Sequence, residues 1–323
     1  MKLNFLVCIG IIMPFIMLGQ SKETYTNEIS IITDNDVFVG WQSKDEFFSF
    51  GVGANYKFKS DKFIKAHLLF PKSKDHYYSF RFKMEAFTPS NRDIPKEILE
   101  KRLFRFDRPF AGILFGQLGL TTTYKRSFLK THILLGVMGE NSFAENTQDW
   151  FHSRVLDERT LEGWEFQLPN QFLFNINATY AYDLTPKLKG LDFYSSIQTR
   201  LGNLYTDASA EMAMRIGWFQ KLPVSTAEGN QLLAPKNNKL ELFYKVTLLG
   251  RLNAFNGTAQ GNLVGNDTLY EIEKLSVFDK HITHGVYLSW KHFFINAEYV
   301  FTYDRVVPNS SHIYGTIHMG TRF

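Results

Sequence analysis

The chain has 323 residues, 44% hydrophobic and 16% aromatic, with a formal net charge of +4. The basic residues are interspersed with acidic ones and form no dense block, which argues against a nucleic-acid surface. Cys8 is the only cysteine and lies in the N-terminal apolar run, so the rest of the chain has no disulfide framework, thiol nucleophile or Cys-based metal site.

In chain order, the first element is a leader. Lys2 is followed by an apolar run from Phe5 to Leu18, and small or polar residues begin at Gly19. The run is short of the roughly 20 residues a spanning helix needs, so residues 1–19 read as a cleaved export signal. Residues 20–323 read as one further unit, because no repeat, low-complexity tract or linker divides them. No later apolar segment is long enough for a membrane helix.

Strand-like segments follow instead, most of them alternating in polarity and aromatic near one or both ends. The pattern predicts strands near 25–35, 46–59, 75–88, 110–125, 127–139, 170–183, 191–203, 207–221, 239–254, 281–291, 293–304 and 312–323. In the last of them Phe323, Thr321, Met319, Ile317, Gly315 and Ile313 share one face, while Arg322, Gly320, His318, Thr316, Tyr314 and His312 share the other. A terminal aromatic strand behind an export signal resembles the last strand of bacterial outer-membrane barrels, which the barrel assembly machinery reads. Segments of about 9–11 residues with aromatic ends suit tilted membrane strands, and an even count returns both termini to the periplasm. The expected fold is all-β, an antiparallel transmembrane β-barrel of about 12 strands, monomeric in the bacterial outer membrane.

Connections after odd-numbered strands then face outward, at about 35–47, 88–109, 139–165, 203–207 and 254–281. Residues 59–75 and 221–238 are expected as periplasmic turns, longer than such turns usually are. The first three outer connections hold nearly all the polar clusters. These are Asp34-Asn35-Asp36, Lys44 to Gly51, Phe87 to Asp93 with Asp107 to Gly112, and Gly139 to His152 with Glu162 to Leu168.

Taken in order, Asn35-Asp36, the turn of Phe48, Ser49 and Gly51, the step from Phe87 to Ser90, Asp107-Arg108 with Phe110, and the segment closed by His152 resemble the outer-membrane lipid A 3'-O-deacylase family. The likeness covers most of residues 30–170; beyond it the match lies mainly in strand pattern, with Asn253 to Asn262 a weaker motif. The resemblance implies calcium-dependent removal of an acyl chain, the 3'-linked acyloxyacyl group, from the lipid A of lipopolysaccharide. It implies His152 as the catalytic histidine, Asn35, Asp36 and Ser49 as site residues, Ca²⁺ as cofactor, and a lysine on the second outer connection. Arg92, Lys96, Lys101 and Arg102 are available for that last role, and Lys96 is preferred.

The residue types suit ester hydrolysis. With no thiol and no Gly-x-Ser-x-Gly elbow, water must be activated and the oxyanion stabilised; a histidine can take the proton, and Asp36 offers a hard oxygen to Ca²⁺. Plainer roles stand beside these. Asp34 and Asp36 suit ordinary turns, Asp107 with Arg108 suits a structural pair ordering the loop, Trp164 suits an interfacial anchor, and His312 and His318 suit barrel filling. Rival functions are an outer-membrane phospholipase and a non-enzymatic pore or adhesin.

Overall fold

The computed structural model describes residues 24–39, 47–90, 107–156, 161–237, 239–263 and 275–323. Residues 1–19 and all four basic candidates of the second outer connection, Lys96 included, lie outside the described residues.

Twelve antiparallel strands close into one barrel. They are β1 (Asn27–Asn35), β2 (Phe50–Phe58), β3 (Asp75–Phe87), β4 (Ala111–Thr123), β5 (Ser127–Met138), β6 (Gln171–Asp183), β7 (Leu191–Gly202), β8 (Tyr205–Trp218), β9 (Glu241–Asn256), β10 (Phe278–Trp290), β11 (Phe293–Tyr303) and β12 (Ser311–Arg322). Each expected strand is present. Closure comes from β1 pairing with β12, Glu28 opposite Arg322 and Asn35 opposite Gly315. Phe323 locks that seam: its N–H donates to the Asn27 carbonyl at 2.9 Å, and its own carbonyl accepts from the Thr26 and Asn27 N–H groups at 3.0 Å.

Alternation sorts the side chains by solvent. On β1 to β3, Ile29, Ile31, Val52, Tyr56, Phe80 and Phe82 point outward and are exposed, forming the apolar belt that lipid covers. Their neighbours Glu28, Ser30, Asp34, Asn55 and Lys57 point into the lumen and are buried. These polar groups are paired, as burial requires: Lys57 meets Glu28 at 2.7 Å, and Lys83 bridges Asp34 at 2.8 Å and Glu85 at 2.6 Å. Asp34 also accepts from the Thr316 hydroxyl at 2.7 Å, which makes it a lumen structural residue. His318, expected as barrel filling, lies 3.0 Å from the Ser30 hydroxyl inside the barrel.

The connection between β8 and β9 departs from expectation. It folds into the barrel through 3-10 turns at Leu222–Val224, Thr226–Glu228 and Gln231–Leu233, and Leu222, Ala227, Asn230, Gln231 and Leu232 are buried. The reason is that the lumen supplies partners for its backbone. Lys57 donates to the Gly229 carbonyl at 2.6 Å, Lys245 to Ala227 at 3.0 Å and Arg322 to Gln231 at 2.7 Å. Tyr77 donates to the Asn230 side chain at 3.0 Å, and Tyr194 to the Glu228 carboxylate at 2.7 Å. The segment is a plug at the periplasmic mouth. In a planar bilayer the protein is therefore expected to show no stepwise ion conductance, and steady single-channel openings would contradict a seated plug.

Candidate active site

The site grows from the outer ends of β1 to β4, four adjacent staves of the barrel. Asn35 and Phe50 are the last paired residues of β1 and β2, so Asp36 and Ser49 flank the point where the two strands part. Asn35 caps the turn that follows: its side-chain oxygen accepts from the Val37 N–H at 2.7 Å, starting a 3-10 turn over Asp36–Phe38. Asp36 is thereby held 1% exposed. Ser49 is equally buried, with its hydroxyl 2.8 Å from that of Thr88 at the end of β3.

Two elements fold back onto the outside of the wall. Ala86 shares the outward face of β3 with Phe80 and Phe82, and its partner across β4 is Gly112. Helix α1 (Ala144–Phe151) packs there, because Gly112 leaves room: a Cβ at that position would lie 2.5 Å from the Ala144 Cβ and would collide with the Ser142 hydroxyl. Trp164 and Phe110 complete this exterior cluster with Ala86 and Ala144. Trp164 is 1% exposed and its indole N–H donates to Gln148 at 2.8 Å, so it fastens the helix to the barrel and is no interfacial anchor. On the other flank Gly315, outward on β12, makes the same allowance for Phe38, whose Cβ would lie 2.6 Å from a Cβ at 315. Tyr299 donates to the Phe38 carbonyl at 3.3 Å.

His152 follows the last residue of α1, and its N–H donates to the carbonyls of Gln148 and Asp149. From there the chain widens into a π turn over His152–Leu156, a local irregularity often found at functional positions. His152 is 4% exposed. One turn earlier, burial pushes the Asp149 carboxyl above the usual range, while the nearby His152 pulls it down. Burial and the surrounding Asp149, Glu165 and Glu140 carboxylates likewise raise Glu145. Docking this helix thus disfavours the charged form of both carboxyls.

Arg108 holds the rim together. It donates to the Phe47 carbonyl at 2.6 Å and to the Thr258 carbonyl and hydroxyl at 3.1 and 3.3 Å, while its guanidinium sits 4.3 Å from the Phe87 ring centroid. It therefore joins the first, second and fifth outer connections. Burial and the neighbouring Arg305 guanidinium depress its pKa. Asp107 orders the same region separately, accepting from the Ser90 N–H at 3.1 Å and from the Ser90 hydroxyl. Thr258 lies on α2 (Gly257–Gln260), inside the motif that sequence marked only weakly. Arg305 arrives on the connection after β11, which the outward-loop assignment left out, and stacks 5.4 Å from Phe48 and 5.7 Å from Phe87.

The structure thus brings Asn35, Asp36 and Ser49 to one strand end and sets His152 on the helix that packs over β3 and β4. Thr88, Arg108, Thr258 and Arg305 are additions. Thr88, Arg108 and Thr258 lie inside stretches that the sequence marked without giving them a place in the site, and Arg305 was not marked; polarity at a strand end does not say what a side chain touches.

The helix docking has a direct test. Gly112→Val is expected to lift α1 from the wall while leaving a closed barrel, lowering any activity of this site by about 10²-fold, the scale of a misplaced catalytic group. Heat-modifiable migration on a gel checks the barrel, and limited proteolysis at 143–156 checks the helix.

The family model described as outer membrane protein LpxR matches residues 3–323. Among solved structures, LpxR from Salmonella typhimurium superposes with a TM-score of 0.70 at 15% identity, covering 92% of this chain and 100% of that one. The beta domain of the Bordetella autotransporter BrkA gives 0.41 at 8% identity, covering 92% and 98%. No curated protein sequence matches the chain. A match of the family model over nearly the whole length, on a closed twelve-stranded barrel, bears out the resemblance seen in residues 30–170: the chain belongs to the outer membrane protein LpxR family and is an outer-membrane β-barrel.

Proposed function

We propose that this barrel hydrolyses an acyl ester of lipid A in the outer leaflet, with the 3'-linked acyloxyacyl group as the chain removed and Ca²⁺ as cofactor. The observation that carries the proposal is the exterior position of the site. Its helix and its first turn are docked on the lipid-facing side of the outer rim, where an amphiphile can approach laterally from the membrane.

The donor chemistry fits Ca²⁺. Asp36 offers a buried carboxylate, a hard oxygen ligand, with the Ser49 and Thr88 hydroxyls on the adjoining strand ends. Asn35, whose amide oxygen is engaged by Val37, shapes the turn that presents Asp36. When bound, the ion supplies Lewis-acid polarisation of the ester carbonyl.

The chain's own residues supply the proton chemistry. His152 takes a proton from water as the water oxygen bonds to the ester carbon, then returns it to the departing sugar hydroxyl or hydroxyacyl oxygen as the acyl–oxygen bond breaks. Ser49 orients water or substrate through its hydroxyl, and a base of the second outer connection, Lys96 by preference, holds a phosphate or the oxyanion.

The test is mass spectrometry of lipid A after incubation with the protein in mixed micelles. Loss of one acyl chain is expected with Ca²⁺, none after EGTA, and recovery when Ca²⁺ is restored. Unchanged lipid A in the presence of Ca²⁺ overturns the proposal. Fatty-acid release from phospholipid vesicles free of lipopolysaccharide would point to a phospholipase instead.

A further inference from the structure

At the opposite end of the barrel, the turn between β2 and β3 gathers donor atoms that the proposed ester hydrolysis does not use. Asp61, His67 and His76 each offer one ligand atom, and these atoms all lie within 4.8 Å of one another. Their chemistry differs from that at the outer rim, with two imidazoles and one carboxylate in place of a hard-oxygen set. That combination selects borderline transition ions such as Zn²⁺ or Cu²⁺ over Ca²⁺.

The turn is built to hold these groups. Phe63 packs on the outward aromatics of the two strands, with ring centroids 5.1 Å from Phe58, 5.0 Å from Tyr78 and 5.8 Å from Phe80. The Ser60 hydroxyl accepts from the Lys62 and Phe63 N–H groups at 3.2 and 3.1 Å. Ile64 and Lys65 then take left-handed φ angles of 49° and 56°, which a β-branched residue adopts only when its surroundings impose it. This reversal starts the short 3-10 turn Ala66–Leu69 and brings His67 over His76, the rings stacked 4.1 Å apart and 7° from parallel.

The outer sphere is also in place. Tyr78 Oη lies 3.1 Å from His67 Nδ1, an arrangement that fixes the ring and leaves Nε2 for an ion. His76 Nε2 lies 3.2 Å from the Ser60 carbonyl and 3.6 Å from the Asp61 carboxylate, so an ion would displace the proton this nitrogen shares with the Ser60 carbonyl. The Asp61 side chain is 90% exposed, which gives an ion a path from the periplasm. Tetrahedral coordination with bonds of about 2.0–2.2 Å puts donors about 3.3–3.6 Å apart, so an ion takes both imidazoles once one ring turns out of the present stack and points its in-plane lone pair at the same site.

We infer that Asp61, His67 and His76 form a periplasmic transition-metal site, which takes Zn²⁺ or Cu²⁺ and staples the 59–74 turn to β3. The ion binds one per chain, with water completing its shell.

The experiment uses the untagged full-length protein in detergent micelles, stripped with EDTA and dialysed. Calorimetric titration with Zn²⁺ is expected to give one site per chain, retained in excess Ca²⁺. Cu²⁺ loaded at one equivalent is expected to show nitrogen hyperfine structure from two imidazoles in its EPR spectrum. Both signals disappear in H67A/H76A, while heat-modifiable migration shows that barrel still closed. Tyr78→Phe, which keeps the ring but loses the hydroxyl, is expected to weaken Zn²⁺ by about 10–100-fold at unchanged stoichiometry. Absence of Zn²⁺ binding in the parent protein, binding that survives H67A/H76A, or displacement by Ca²⁺ overturns the inference. Since lipid A turnover reads the outer rim and metal titration reads this turn, the two proposals fail separately.

Discussion

Replacing His152 with alanine is expected to lower release of the acyl chain by about 10²–10⁴-fold, the range that a positioned general base supplies. The substitution removes a buried ring at the C-terminal end of α1, so a local packing loss must be separated from a chemical one. His152→Gln keeps much of the volume and some hydrogen-bonding capacity, but it cannot take a proton near neutral pH. Equal loss in both variants, with the helix still protected from protease, identifies proton transfer as the missing function. Full turnover by His152→Gln would remove His152 from the chemistry.

The second large effect is expected at Arg108. Its guanidinium serves the carbonyls of Phe47 and Thr258 and lies on the Phe87 ring, all in a buried setting. Arg108→Met retains much of the apolar contact but leaves those carbonyls without their donor. Each unsatisfied buried carbonyl costs about 1–3 kcal/mol, so the rim is expected to lose roughly 2–6 kcal/mol on that scale. The barrel wall, held by its own ladder, should remain closed. The expected signature is faster proteolysis of the outer connections and loss of turnover, with heat-modifiable migration retained. Arg108→Lys is expected to recover only part, since one ammonium cannot reproduce the planar fork. Unchanged protease resistance in Arg108→Met would show that the three connections are held by something else.

The wall of this protein was legible from sequence because lipid outside and a polar lumen inside impose a period of two on every strand. Ile29, Ile31, Val52, Phe80 and Phe82 against Glu28, Ser30, Asp34 and Lys57 is that alternation made visible. The positions of Asn35, Asp36, Ser49 and His152 at strand ends and outer connections were legible once strand direction was assigned. What stacks on the wall was not. Gly112, Ala86 and Gly315 look like ordinary small residues in a strand, and only the docked helix and Phe38 reveal why a side chain there would collide. Arg108 likewise advertises a charge without naming partners that are backbone carbonyls far along the chain. The β8–β9 connection misled for a related reason. Its Gly, Pro and polar residues are those of any turn, and its burial depends on lysines and arginines contributed by distant strands.

That packed connection also bears on the cell envelope. Excluding antibiotics and bile salts depends on the outer membrane having few unguarded holes. Here Lys57, Lys245 and Arg322 hold the Gly229, Ala227 and Gln231 carbonyls across the periplasmic mouth. Raising the copy number of the protein is therefore expected to leave the envelope no more permeable to small solutes, which uptake of a small fluorescent dye would check.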